Sequence, residues 1–207
     1  MYISIINYGA GNLRSVEKAL EKLNVNSQIT TDKQVIKNSS GLILPGVGAF
    51  DSAILQLKKL NLVSLIVDEI QTGKPFLGLC LGMQLLFEES EEGKEKGIGL
   101  IKGKVKKFVF DQQQPRLKVP HMGWNNINVK NVSSPLLKNI PQNSKVYFVH
   151  SYYCVPENNE DILAETNYGF DFCSAVQKNN IFALQFHPEK SSYIGLQILK
   201  NFGELCK

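Results

Sequence analysis

Pro75-Phe76-Leu77-Gly78-Leu79-Cys80-Leu81-Gly82-Met83-Gln84-Leu85-Leu86-Phe87-Glu88-Glu89-Ser90 is the stretch that decides the fold. Its first part, PFLGLC (75–80), is an apolar run of strand length, and the remainder, LGMQLLFEES, has helix-forming composition. Gly78 and Gly82 flank Cys80 where the two meet. Strand, tight turn and helix with glycines around a nucleophile form a nucleophile elbow. The glycines let the backbone take a strained turn without Cβ clashes, and a helix N-terminus beside the thiol favours thiolate. Taken alone, the pentapeptide also fits a small buried cysteine at the end of a sheet.

Outward from the elbow, β-type runs alternate with helical patterns, the signature of βαβ units and a parallel sheet. YISIIN (2–7) is a short apolar strand, and Leu13, Val16, Leu20 and Leu23 recur at helical spacing in LRSVEKALEKL (13–23). A polar link leads to a second buried strand, GLILPG (41–46), followed by helical patterns from Ala53 to Leu57 and from Leu62 to Ile70. The acidic run Glu88 to Glu92, followed by Gly93-Lys94-Glu95-Lys96, reads as a helix end entering an exposed loop. From Gly97 onward, β-rich segments separated by Pro, Gly, Asn and a Gln-rich loop are expected to add antiparallel strands to the same sheet. A closing helix over 191–205 carries Ile194, Ile198 and Phe202 as an apolar stripe. The expected fold is α/β: a single domain over residues 1–207, with a mostly parallel central sheet flanked by helices and antiparallel strands in the C-terminal half.

The 207 residues are 43% hydrophobic and 20% charged, which excludes disorder, coiled coil and collagen. A chain of this length buries roughly 70% of its unfolded surface and needs no staple. Cys80, Cys154, Cys173 and Cys206 show no CxxC pairing, which argues against a zinc site or a disulfide framework and fits a reducing cytosol. MYISIINYGAGN carries no basic region before its apolar run, and no stretch of about 18 apolar residues occurs, so neither a signal peptide nor a membrane span is expected. A net charge of +4 is too mild to imply nucleic acid. Lys102, Lys104 and Lys106 would share a strand face, read as solvated or as a protected edge rather than as a phosphate-binding surface.

A thiolate needs a base, and the histidines are His121, His150 and His187. The first two lie among aromatic and β-forming residues, where hydrogen-bonded structural roles are expected. His187 is different, because Gln185-Phe186-His187-Pro188-Glu189 ends the last strand and sets a carboxylate two residues beyond the ring. In an extended segment those side chains point the same way, so Glu189 can orient His187 toward a nucleophile, and Pro188 stiffens the pair. Strand ends meet at the carboxyl edge of a parallel sheet, where Cys80 also lies. Cys80, His187 and Glu189 thus form a candidate triad. Gly9-Ala10-Gly11 opens a helix as a dinucleotide fingerprint would, but Arg14 stands where the third glycine belongs, so no such cofactor is expected. Pro45-Gly46-Val47-Gly48 ends a strand in a flexible turn that can aim an N–H at an oxyanion beside Cys80, or be a plain tight turn.

Gly78 to Gln84 (GLCLGMQ) and Phe186 to Glu189 (FHPE) resemble the class I, or triad, glutamine amidotransferases, whose pattern is GxCxGxQ with a later FHPE. The likeness extends through YGAGNLRS (8–15), PGVGAF (45–50), PHMGWN (120–125), YFVHSYY (147–153) and FHPEKS (186–191). These further motifs resemble the branch of the family that serves histidine biosynthesis. The resemblance implies that Cys80 attacks the glutamine amide, His187 moves the proton and Glu189 orients His187. It implies an oxyanion site from Leu81 and the Val47-Gly48 turn, glutamine binding by Gly48, Gln84, His150, Ser151 and Tyr152, and no metal or organic cofactor. It also implies a partner, the (β/α)8-barrel cyclase subunit of imidazole glycerol-phosphate synthase, with Asn12, Pro120, Met122, Trp124, Tyr152 and Lys190 near the heterodimer interface. Ammonia released into neutral water becomes ammonium, which has no lone pair to attack with, so a partner that receives it directly makes chemical sense. Trp124 suits an interface anchor, although core packing would explain it equally well without the resemblance.

Overall fold

The computed structural model describes residues 1–110 and 117–207, so the Gln-rich loop lies outside the described residues. Its first half is organised by β1 (Ile3–Ile6), β2 (Ser27–Thr30), β3 (Gly41–Gly46) and β4 (Phe76–Cys80). Period-two alternation sends Ile3, Ile5, Ile43, Leu77 and Leu79 to one core, and Ile6, Leu42, Leu44 and Phe76 to another. Strands that are apolar on both faces must be covered on both. α1 (Leu13–Lys22) and α6 (Ser192–Leu205) supply the first cover through Val16, Leu20, Ile198 and Phe202. α2 (Lys33–Asn38), α3 (Phe50–Lys59) and α4 (Val63–Gln71) supply the second through Ile36, Phe50, Leu57 and Ile66.

The remaining elements are α5 (Leu81–Gln84), β5 (Glu89–Ser90), β6 (Gly103–Lys107), β7 (His121–Val129), β8 (Ser144–His150), β9 (Tyr152–Pro156), β10 (Ile162–Asn167), β11 (Asp171–Lys178) and β12 (Ile181–Leu184). The sheet runs β2-β1-β3-β4-β12-β11-β10-β7-β8. Its first five strands are parallel, and every pairing from β12 through β8 is antiparallel. A short flank, β5-β6-β9, joins through β9 to β11. This is the expected α/β sheet, parallel strands flanked by helices with antiparallel strands added, although the antiparallel pairings are at least as many as the parallel ones. Gly46 pairs in register with Cys80, and Leu184 with Leu79, so the turn after β3, the elbow and the segment after β12 share one carboxyl edge.

Several local expectations change. The polar link before β3 contains β2 and α2; β2 is a half-exposed edge strand, so it carries no apolar run to reveal it. The helix after Cys80 stops at Gln84 instead of running on toward Ser90. The carbonyls of Leu85, Leu86 and Glu88 accept from the amides of Ile98, Ile101 and Gly97, and the amides of Glu88 and Glu91 donate to Gly103 and Val105. Pairing with a distant segment therefore replaces the helical ladder, and the acidic run holds the two-residue strand β5 and a turn, not a helix end. Lys104 and Lys106 lie on β6, which is paired on both sides by β5 and β9 and is not an edge; Lys102 precedes the strand. His187 and Glu189 are not in an extended segment either, because Pro188–Lys190 form a turn of 3-10 helix.

Candidate active site

Cys80 closes β4 with φ +53°, a left-handed conformation that side-chain-bearing residues rarely adopt and that is held by its surroundings. A Cβ on Gly82 would run into the Leu44 carbonyl oxygen, and one on Gly78 would stand 2.7 Å from the Gly82 carbonyl oxygen. The glycines are therefore required by close backbone approach on either side of the thiol. Because α5 is a single turn, what lies beside the sulfur is its first N–H groups, Leu81 foremost, which have no partner within the helix, rather than a long helix dipole. Gln185, fully buried, directs its amide Nε2 at Cys80 Sγ at 3.8 Å, a contact that the sequence analysis missed.

His187 Nδ1 lies 2.9 Å from Glu189 Oε1, with both side chains almost fully buried. The 3-10 turn brings them together: the Ser191 hydroxyl donates to the His187 carbonyl at 2.6 Å and accepts from the Tyr147 amide at 2.9 Å, while the His187 amide donates to the Tyr147 carbonyl. Burial alone would depress the imidazole, but the adjacent Cys80 and Glu189 side chains outweigh it and raise its affinity for a proton. Nε2 has no partner in regular hydrogen-bond geometry, and the Cys80 side chain is the neighbour on that side. Thiol, imidazole and carboxylate in this order can carry out nucleophilic acyl transfer.

A cavity of about 390 Å³ opens over the thiol. It gathers Val47, Gly48, Cys80, Leu81, Gln84, His150, Ser151 and Tyr152, all singled out from the sequence, together with Pro120 and Glu92. Its volume suits a small polar molecule. Two of these residues offer less than expected. Gln84 spends its amide hydrogens on the Tyr152 carbonyl and on Gln185 Oε1, each at 3.1 Å. His150 bonds the Tyr152 carbonyl through Nδ1 at 2.8 Å and His121 through Nε2 at 2.9 Å. Glu92, read from the sequence as the end of a helix running into an exposed loop, is half-buried and accepts from the Phe50 amide at 2.9 Å. No local pattern marks it, because the pairing of β5 with β6 is what carries it to the cavity.

Of the residues assigned to a partner face, Met122 and Trp124 are 62% and 53% exposed. The Trp124 ring meets Tyr147 edge-on at 6.1 Å, and Lys190 Nζ stands 6.0 Å over the same Tyr147 ring, so one exposed cluster forms from β7, β8 and the 3-10 turn. Pro120 is exposed at the start of β7, Tyr152 is half-buried at the cavity, and Asn12 precedes α1 with its Oδ1 accepting from Ser15 at 2.8 Å. Among the described residues, no group of three or more His, Cys, Asp or Glu could hold a metal ion, and no helix is long and apolar enough to cross a membrane.

The chain resembles known proteins over nearly its whole length. The chain is 50% identical to an imidazole glycerol phosphate synthase subunit HisH from Caldanaerobacter subterraneus over 99% of its length and 98% of the relative's. It is 48% identical to the subunit of the same name from Syntrophotalea carbinolica, over 98% of this chain and all of that one. A crystal structure described as a glutamine amidotransferase superposes with a TM-score of 0.76 over 100% of this chain and 99% of the other at 17% identity, a likeness of fold. The family model for glutamine amidotransferase class-I matches residues 4–205, and the chain belongs to that family.

Proposed function

We propose that the chain hydrolyses glutamine to glutamate and ammonia at Cys80, as the glutamine amidotransferase subunit of an imidazole glycerol phosphate synthase in histidine biosynthesis. The carrying observation is the strained Cys80 elbow beside the 2.9 Å His187–Glu189 pair, opening on the cavity. The Cys80 sulfur attacks the side-chain amide carbon of glutamine, and His187 holds the thiol proton and passes it to the departing ammonia. A water molecule, deprotonated by His187, then cleaves the thioester to glutamate and restores the thiol. Glu189 orients His187 through the bond to Nδ1. The amide of Leu81 and one from the Val47-Gly48 turn stabilise the tetrahedral oxyanion. Gly48, Gln84, and the His150-Ser151-Tyr152 segment border the bound glutamine, and the Glu92 carboxylate is the anionic group available to its α-ammonium.

The relatives named above are subunits of a larger synthase, and the exposed Trp124–Tyr147–Lys190 cluster with Met122 is a suitable docking face for a second subunit. Pro120 and Tyr152 link it to the cavity that they line, and Asn12 belongs to the same proposed interface. The partner is the (β/α)8-barrel cyclase subunit, which uses the ammonia to make imidazole glycerol phosphate and an aminoimidazole carboxamide ribotide. The chain acts as a single domain, and its four free, buried cysteines suit the cytoplasm. A glutamine-derived diazo-ketone should label Cys80 and spare Cys154, Cys173 and Cys206. Labelling elsewhere, or full glutaminase activity in Cys80→Ala, would sink the assignment.

A further inference from the structure

Tyr8 is 1% exposed, and its hydroxyl is one of the buried side-chain polar atoms without a hydrogen-bond partner among the described residues. A buried hydroxyl left unpaired is costly, so its neighbourhood matters. A Cβ on Gly46 would stand 2.7 Å from the Tyr8 oxygen, 2.8 Å from Leu81 Cβ and 2.9 Å from the Gly82 nitrogen. The hydroxyl thus occupies the space that Gly46 leaves by having no side chain, and Gly46 is the register partner of Cys80. The loop that carries Tyr8 also passes close to the end of β3, since a Cβ on Gly11 would be 3.4 Å from the Pro45 carbonyl carbon and oxygen. Tyr8 itself does not line the cavity, whereas Val47 and Gly48 do. The hydroxyl therefore lies against Gly46, and the Val47 and Gly48 that follow it border the cavity.

The elbow backbone near Tyr8 is fixed by the β3–β4 register and by backbone contacts at Gly78 and Gly82. The turn is freer: Val47 is 44% exposed, Gly48 has φ +102°, and nothing lies within 4 Å of where its Cβ would be. In a planar trans peptide the C=O and N–H point in opposite directions. A turn peptide that rotates its carbonyl onto the Tyr8 hydroxyl turns its N–H away from Tyr8, and the residues of that turn, Val47 and Gly48, border the cavity over the thiol. We propose that Tyr8 is a positioning residue for the oxyanion site, its hydroxyl donating to a Gly46–Gly48 turn carbonyl in the reactive state and so aiming that peptide's N–H at the intermediate on Cys80. The role holds only if Cys80 works on glutamine as proposed above. Burial and the neighbouring Cys80 raise the Tyr8 pKa, so the group remains a donor throughout the working pH range.

Tyr8→Phe tests this in the full chain, alone and with the cyclase subunit. Loss of a whole oxyanion donor costs about 100- to 1000-fold, and Tyr8 acts only through one, so kcat for glutamine should fall on the order of tenfold. KM should stay within about twofold, because the hydroxyl does not face the bound substrate. Alkylation of Cys80 by iodoacetamide, which forms no oxyanion, should proceed at the wild-type rate, and the melting temperature should hold or rise once an unpaired buried hydroxyl is removed. An unchanged kcat would overturn the proposal. So would alkylation falling in parallel with kcat, or a melting temperature lowered by several degrees, since that would mean the hydroxyl is already paired in the resting fold. A wild-type chain that releases no glutamate from glutamine under either condition would instead refute the glutaminase assignment, and Tyr8's role with it.

Discussion

His121 Nδ1 lies 2.9 Å from His150 Nε2, and the partners on either side fix the proton on both rings. The Tyr152 carbonyl can only accept, so His150 Nδ1 carries hydrogen and its Nε2 is a bare acceptor. His121 must then donate from Nδ1, and its own Nε2 accepts from Asn125 Nδ2 at 3.3 Å. One directed chain, Asn125 to His121 to His150 to Tyr152, ties β7, next to exposed Trp124, to a wall of the cavity. A proton added to either ring would put two donors face to face.

This relay should make the fold acid-sensitive. Burial lowers the His121 pKa to about 4 and the His150 pKa to about 3, below the unfolded value of 6.5. Between those values the unfolded chain binds more protons, so stability is full above pH 6.5 and is lost as pH falls toward 4. His187 works in the opposite sense: its raised pKa contributes stability below 6.5 that is lost as pH rises through its folded value. We expect the melting temperature to drop between pH 7 and pH 5, with neither His121 nor His150 titrating by NMR in that range. A ring titration midpoint near 6.5 for either residue would contradict the relay.

The triad should separate glutamine chemistry from acceptor chemistry. Cys80→Ala, His187→Ala and Glu189→Ala should each cripple glutamine-dependent synthesis by the two-subunit complex yet leave synthesis from ammonium salt at high pH. His187→Ala removes both base and acid, a loss of at least about 100- to 10,000-fold. Glu189→Gln should retain more activity than Glu189→Ala, because an amide oxygen still accepts from His187 Nδ1. The check is the ratio of ammonium- to glutamine-dependent product for each variant; parallel loss of both activities in a folded, associated complex would exclude the ammonia-donor role.

Two glycines should fail in different ways. Gly82→Ala drives a Cβ into the Leu44 carbonyl, a backbone atom that cannot swing aside, so about 1–3 kcal/mol of stability should go along with activity. Gly48→Ala meets no atom within 4 Å but holds φ +102°, so its strain should fall on the turn alone. Its kcat should drop while the melting temperature changes little. Denaturation curves beside glutaminase rates decide, and equal destabilisation by both substitutions would count against the mobile turn.

Trp124→Ala should leave the isolated fold within about 0.5 kcal/mol of wild type, since the ring is 53% exposed and meets Tyr147 edge-on at the surface. Binding to the cyclase subunit should weaken by about 2 kcal/mol, roughly 30-fold in Kd, if Trp124 anchors the docking face. Calorimetric titration of the two subunits measures this directly. Unchanged affinity would move the interface elsewhere.

The apolar runs of β1, β3 and β4, the glycines around Cys80, the His187–Glu189 spacing and the stripe of α6 were legible in the amino-acid sequence because each is a short-range pattern. Close backbone packing needs glycine at the elbow, burial on both faces needs unbroken apolar strands, and a helix against one core needs a stripe. What lay beyond that range was decided by contacts between distant residues. The carbonyls of Leu85, Leu86 and Glu88 find amides at 97–101, which ends α5 after one turn despite its helical composition and carries Glu92 to the cavity. β2 forms because β1 offers it a free edge, although its own residues are half polar. Gln185 meets Cys80, His121 meets His150, and Tyr8 rests against Gly46, across separations of 105, 29 and 38 positions. A hydrogen bond or close contact across such a gap has no local signature, since either residue alone satisfies its own strand or loop, and only the closing of the sheet brings the two together.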